Sequence, residues 1–243
     1  MSRFFTITLI FLAFSCISCE NGNYVPPKEI SDADEISDSD EVSDDDSDPG
    51  TELIYDLKVD ENKENILSCR LTFSTTEQRK TFVKYYSGTH KGYKISEDSA
   101  KNEHYFFLWG MRENLDYTIE IYTDEEEPEL LATAEFHSGF APDYLPAMYL
   151  TEHVAEKTSE GFVLFQYAAT TFEHIFPVAV MIDTDGYIVW YYEYDPWYAS
   201  SFGDVTWDPE KQTILIALTK DSSAADSLAE EAIEIDLEGN IVW

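Results

Sequence analysis

Positive charge is what this sequence has least of. Its 243 residues carry 15 Lys and Arg against 49 Asp and Glu, a formal net charge of −34 with a pI near 4.1. Such a chain repels a phosphate backbone, which excludes charge-driven binding to nucleic acid. The shortage is uneven. Residues 1–50 hold 12 acids and 2 bases, residues 51–120 hold 12 acids and 10 bases, and residues 121–243 hold 25 acids and 3 bases. No arginine follows Arg112, so Lys157, Lys211 and Lys220 are the only bases in the last stretch. Cysteine is almost as scarce. Cys16 and Cys19 lie near the N-terminus, which leaves Cys69 alone in the part expected to fold. One cysteine closes no internal disulfide, and no Cys/His set of zinc spacing exists, so neither a metal nor another cofactor is expected. Cys69 sits in the apolar stretch Ile66–Leu71 and reads as a small buried hydrophobe rather than a nucleophile. Long apolar runs are missing too. The one candidate, Phe4–Phe14, has eleven residues against the about 20 a bilayer-spanning helix needs.

That short run does fit a secretory signal. Met1-Ser2-Arg3 is a positive start, Phe4–Phe14 the apolar region, and Ser15-Cys16-Ile17-Ser18-Cys19 its end. A small residue directly before a cysteine resembles a bacterial lipoprotein processing site. The resemblance implies lipidation of Cys19, with Cys16 as the alternative, a signal peptide over 1–19, and anchoring outside the cytoplasm, in the periplasm or at the cell surface. A plain secretory signal is the competing interpretation. Residues 20–50 follow, Ser-Asp-rich and without an aromatic residue except Tyr24. Such a segment cannot bury enough apolar area to offset its chain entropy, and a disordered acidic linker is expected there.

From Thr51 to Phe140 short alternating runs are separated by polar breaks. Strands are expected at Leu53–Val59, Ile66–Phe73, Thr81–Tyr86, His104–Trp109, Tyr117–Tyr122 and Leu130–Phe136. About six short strands in this space predict an all-β sandwich over 51–140. Met111–Tyr117 resembles the tyrosine corner of fibronectin type III and immunoglobulin-like domains, in which the tyrosine hydroxyl bonds to nearby backbone. His90, His104 and His137 are isolated in the sequence and are expected to be surface or capping residues.

The most informative pattern lies further on. Ala179–Trp190 recurs as Ala232–Trp243 at an offset of 53, with seven of twelve positions identical. Each copy reads as strand, Asp-x-acid-Gly turn, strand, with the glycine at φ > 0. Asp183-Thr184-Asp185-Gly186 has its glycine too early for a calcium loop, so a hairpin turn is expected. Hairpins recurring at this spacing mark propeller blades, and residues 145–243 are expected to hold the first two. Closure takes about four to eight blades, so the chain is expected to be the N-terminal part of a longer protein.

Phe136–Pro146 and the Gly186-Tyr187-Ile188-Val189-Trp190-Tyr191-Tyr192 hairpin together resemble the bacterial arylsulfotransferase family. The resemblance spans about residues 51–243. It implies transfer of a sulfuryl group from a phenolic sulfate ester to a phenol through a sulfated histidine. The family's His-Asp blade motif is matched here by Gly203-Asp204, without the imidazole. The catalytic histidine is therefore expected beyond Trp243, and this stretch is expected to be inactive alone. His153 and His174 do not follow the motif. A non-catalytic surface lipoprotein with a partner-binding propeller and a quinoprotein-like propeller are the alternatives.

Overall fold

The computed structural model describes residues 53–88, 90, 93–148, 150–152, 154, 161–170, 175–194, 201–219 and 231–243. The expected signal peptide with Cys16 and Cys19, the acidic segment 20–50, His153 and His174 lie outside the described residues. What is described is all-β, with no helix among the described residues. In chain order the strands are β1 (Ile54–Glu61), β2 (Cys69–Arg79), β3 (Thr81–Tyr86), β4 (Lys94–Ser96), β5 (Lys101–Leu108), β6 (Asp116–Thr123) and β7 (Leu130–His137). They continue as β8 (Val163–Thr170), β9 (Ile175–Ile182), β10 (Ile188–Glu193), β11 (Ser201–Asp208), β12 (Thr213–Thr219) and β13 (Glu231–Ile235).

These strands make four antiparallel sheets, ordered β1-β2-β5, β4-β3-β6-β7, β10-β9-β8 and β11-β12-β13, none of them closed on itself. The first two face each other and form a two-sheet body. Their inner faces follow a period of two: Tyr117, Ile119 and Ile121 are buried on β6 while Thr118, Glu120 and Tyr122 are only partly so. Cys69, Leu71 and Phe73 from β2 meet Val83 and Tyr85 from β3 in one core. Met111 is fully buried in that core, and the hydroxyl of Tyr117 accepts the Arg112 N–H at 2.8 Å. The corner foreseen from the sequence thus binds backbone five residues upstream.

The other two sheets stack on each other. On β9 every residue from Phe176 to Met181 is buried, because this central strand is covered on both faces. Ala179 and Met181 pack with Ile214, Ile216 and Leu218 of β12. Val178 and Val180 face the other way, onto Leu145 and Leu67. Pro177, which cannot donate to a ladder, lies just outside the β9–β10 pairing, which ends at Val178. The described residues from Leu53 to Trp243 form one unit by their contacts.

Two local differences from the expected strands have physical causes. Ile66–Ser68 is not strand. Asn62 and Asn65 fold this stretch into a turn: Asn62 Nδ2 donates to Ser68 Oγ at 3.0 Å, and Asn65 Oδ1 accepts the Leu67 N–H at 3.2 Å. Leu67, fully buried, is thereby pushed out of the body and into the core beneath β9. The short β4 was not foreseen, because three residues with one half-buried isoleucine carry no readable period.

Candidate functional site: the junction with the repeated hairpins

The two copies of the repeat fold into the same turn. Asp183 N–H donates to Tyr187 O at 2.9 Å and Gly186 N–H to Asp183 O at 3.0 Å. In the second copy Asp236 N–H donates to Asn240 O at 3.0 Å and Gly239 N–H to Asp236 O at 3.1 Å. Gly186 and Gly239 take φ of 85° and 91°, a region L side chains rarely occupy. The leading aspartate turns one oxygen inward. Asp183 Oδ1 accepts the N–H groups of Asp185 and Tyr187 at 3.0 Å each, and Asp236 Oδ1 accepts that of Asn240 at 2.9 Å. These carboxylates cap backbone, as a hairpin turn requires. The copies also touch: Trp190 Nε1 donates to the Leu237 carbonyl at 2.7 Å.

The third residue of each turn is an acid, Asp185 in one copy and Glu238 in the other, and an arginine of the two-sheet body holds each. Arg112 Nε donates to Asp183 Oδ2 at 2.7 Å and Nη2 to Asp185 Oδ2 at 2.5 Å, while its guanidinium lies 4.0 Å over the Tyr187 ring. Burial works against the Arg112 charge, but the two carboxylates hold its pKa above the ordinary value. In the second copy Arg70 Nε donates to Glu238 Oε2 at 3.2 Å and Tyr105 Oη to Oε1 at 2.5 Å. Desolvation first, then the Glu238 charge, pushes the Tyr105 phenol up to about 12. Between these contacts Asn65 Nδ2 donates to Tyr191 O at 3.2 Å, and Tyr191 Oη accepts the Ile66 N–H at 3.3 Å. Leu67 and the joint residues Tyr144 and Leu145 fill the space beneath with Phe176 and Val178.

The histidines divide. His137 is exposed and pairs with Asp116 at 2.7 Å, as a surface histidine should. His90 and His104 are buried, contrary to their expected surface positions. His104 stacks on Phe73, with 4.4 Å between ring centroids. Its Nδ1 lies 2.9 Å from Glu97 Oε2 and its Nε2 3.0 Å from Thr75 Oγ1. Thr81 Oγ1 donates to the same carboxylate at 2.8 Å, so the group ties one sheet of the body to the other. The Thr-His-Glu order looks like a catalytic triad, but Thr75 is fully buried and its hydroxyl donates to Glu77 O at 2.8 Å, so it is not placed as an accessible nucleophile. His90 belongs to the junction: its Nδ1 lies 3.0 Å from Tyr117 Oη and its Nε2 4.0 Å from Asp183 Oδ2.

Other residues singled out from the sequence lie apart from the junction. Cys69 is buried as expected, and desolvation lifts its thiol to about 12. Asp204, at the blade-motif position, is exposed beside a register shift in β11, where its Oδ1 accepts the Val205 N–H at 2.9 Å. Lys211 is bound to Glu234 at 3.0 Å. Among the described residues no set of three or more His, Cys, Asp or Glu side chains gathers as a metal site would. Sequence reasoning passed over Arg70 and Arg112. Their signal was their rarity, together with turn acids at matching repeat positions that lacked a base nearby in sequence.

The junction and fold define an all-β protein in which a two-sheet body grips successive copies of a hairpin repeat by their turn acids. No protein-family model matches the chain, and no curated protein matches it.

Proposed function

We propose that residues 53–243 are the supporting, non-catalytic part of an arylsulfotransferase-like protein. In this proposal the two-sheet body is a fibronectin type III-like sandwich and the stacked sheets β8–β10 and β11–β13 are propeller blades. The observation that carries it is the repeated grip, Arg112 on Asp185 and Arg70 on Glu238, one arginine for each blade hairpin. A sulfuryl-transfer site needs a nucleophilic imidazole and cations aimed at the oxygens in flight. His90, His104 and His137 are hydrogen-bonded to Tyr117, Glu97 and Asp116, and Arg112 and Arg70 are bound to the turn carboxylates. In this proposal the sulfated histidine lies outside the described residues.

The sandwich holds the first blades in register while chemistry on a phenolic sulfate ester and a phenol takes place elsewhere on the propeller. Cys19 anchors the protein by lipid outside the cytoplasm, and residues 20–50 serve as the spacer. Two measurements test this. The purified 243-residue chain, given an aryl sulfate donor and a phenol, should show no transfer above buffer. Turnover abolished by His90→Gln or His104→Gln would overturn the supporting role. Fatty-acid labelling in a bacterial host should be lost in Cys19→Ser and kept in Cys16→Ser; loss only in Cys16→Ser would move the anchor to Cys16, and labelling that survives both changes defeats it.

A further inference from the structure

His90 stands where the body meets the first repeated hairpin, at the end of a narrow turn closed by the Ser87 and His90 backbones. Its ring lies edge-on to Tyr117, with 6.0 Å between centroids. Nε2 faces the Asp183 carboxylate, 4.0 Å from Oδ2, and an acceptor-only group there favours the neutral tautomer with its proton on Nε2. In that tautomer Nδ1 is the acceptor, 3.0 Å from Tyr117 Oη, which donates its hydrogen to the ring while accepting the Arg112 N–H. The charged and titratable groups around it, among the described residues, are Tyr117 on β6, Arg112 on the β5–β6 connection, and Asp183 and Asp185 on the β9–β10 turn.

We propose that His90 makes this junction an acid-sensitive latch: proton uptake by its imidazole releases Arg112 from Asp183 and loosens the first hairpin from the body. Two conflicts arise when Nδ1 gains a proton. Tyr117 Oη can no longer donate to it, so the phenol hydrogen loses its buried acceptor. The imidazolium also brings a second cation beside Arg112, and both compete for Asp183 Oδ2, which is only 8% exposed. The neutral ring has neither conflict. Burial, then the neighbouring Arg112 charge, keeps the His90 pKa below its ordinary value, so the latch stays closed at neutral pH and opens on acidification. The second latch, Arg70 with Glu238 and Tyr105, contains no histidine and serves as an internal control. This inference rests on the junction geometry and stands whether or not the protein belongs with sulfuryl-transfer enzymes.

Solvent exchange of the arginine Nε–H groups in the full chain, followed by NMR from pH 7.5 to 4.5, tests it. The ratio of Arg112 to Arg70 exchange cancels the ordinary effect of pH on exchange chemistry. It should rise about tenfold, the change expected when a local opening becomes easier, with the same midpoint as the His90 ring resonances. In His90→Gln, whose amide oxygen can still accept from Tyr117, the ratio should stay flat over that range. A flat ratio across the His90 titration in the unmodified protein would overturn the latch, as would an equal rise in His90→Gln. If that variant does not fold, the coincidence or mismatch of the two midpoints in the unmodified protein decides alone.

Discussion

Trp190 and Trp243 occupy the same position of the repeat, 53 residues apart, yet the structure gives them opposite energetic roles. Trp190 is 1% exposed and Trp243 72%. The Trp190 indole lies between the stacked sheets with Met181, Val189, Ile214 and Ile216, and its N–H is bound to the Leu237 carbonyl. Truncation to alanine removes the ring, leaves a cavity and frees that carbonyl, a loss of about 3–5 kcal/mol for a buried aromatic. Of this the hydrogen bond accounts for ~1 kcal/mol, so Trp190→Phe, which keeps most of the apolar area, should cost about 1–2 kcal/mol. Trp243→Ala, at an exposed surface, should stay within about 0.5 kcal/mol of the unmodified protein. For a chain of this size each kcal/mol shifts the melting temperature by about 2–4 °C, so Trp190→Ala should melt roughly 6–20 °C lower. Urea unfolding followed by circular dichroism reads all three variants on one scale. Equal losses at 190 and 243, or a Trp190→Ala loss under about 1 kcal/mol, would refute the stacking of the two repeats.

Four further outcomes are expected. Arg112→Ala leaves the buried Asp183 carboxylate without its cation and should cost about 2–3 kcal/mol, below the ~3–5 of a fully buried pair because Arg112 keeps some exposure. Asp185→Asn, at a residue more than half exposed, should cost under ~1 kcal/mol, and denaturant midpoints compare the two. Cys69 should resist an aromatic disulfide reagent at pH 8 in the native protein and react on unfolding in urea, with the site read by mass spectrometry. Stability should depend on His90: because its folded pKa lies below 6.5, the unfolded chain binds more protons in the window beneath that value. Stability is therefore unaffected above about pH 6.5, falls as pH drops towards the folded pKa, and loses nothing more from this residue below it. His90→Gln should remove that share of the pH dependence in denaturant midpoints.

Where alternation reached the sequence undisturbed, the strands were legible. β3 runs as expected at Thr81–Tyr86, and β7 covers the expected Leu130–Phe136 with one residue more. The hairpin repeat was legible because its turn demands a capping aspartate and a glycine at positive φ in both copies. What the sequence hid depends on partners distant along the chain. Ile66 and Leu67 carry a strand's composition, but Asn62 and Asn65 offer side-chain bonds that compete with the ladder, and Leu67 finds its core beneath a strand more than a hundred residues later. His104 has no nearby carboxylate partner that its sequence pattern announces, since Glu97 reaches it only through the turn between β4 and β5. Arg70 and Arg112 sit in stretches whose own charge is nearly balanced, and nothing local assigns them to acids 168 and 71 residues away.

The central claim is that the body and the repeated hairpins are joined at the turn acids into one cooperative unit. Differential scanning calorimetry of the full chain at pH 7.5 tests it most directly, with the Arg70→Ala, Arg112→Ala double variant beside it. The unmodified chain should unfold in a single transition with equal calorimetric and van't Hoff enthalpies, and the double variant should split into two. Two separate transitions in the unmodified chain, or a double variant that still melts as one, would contradict it.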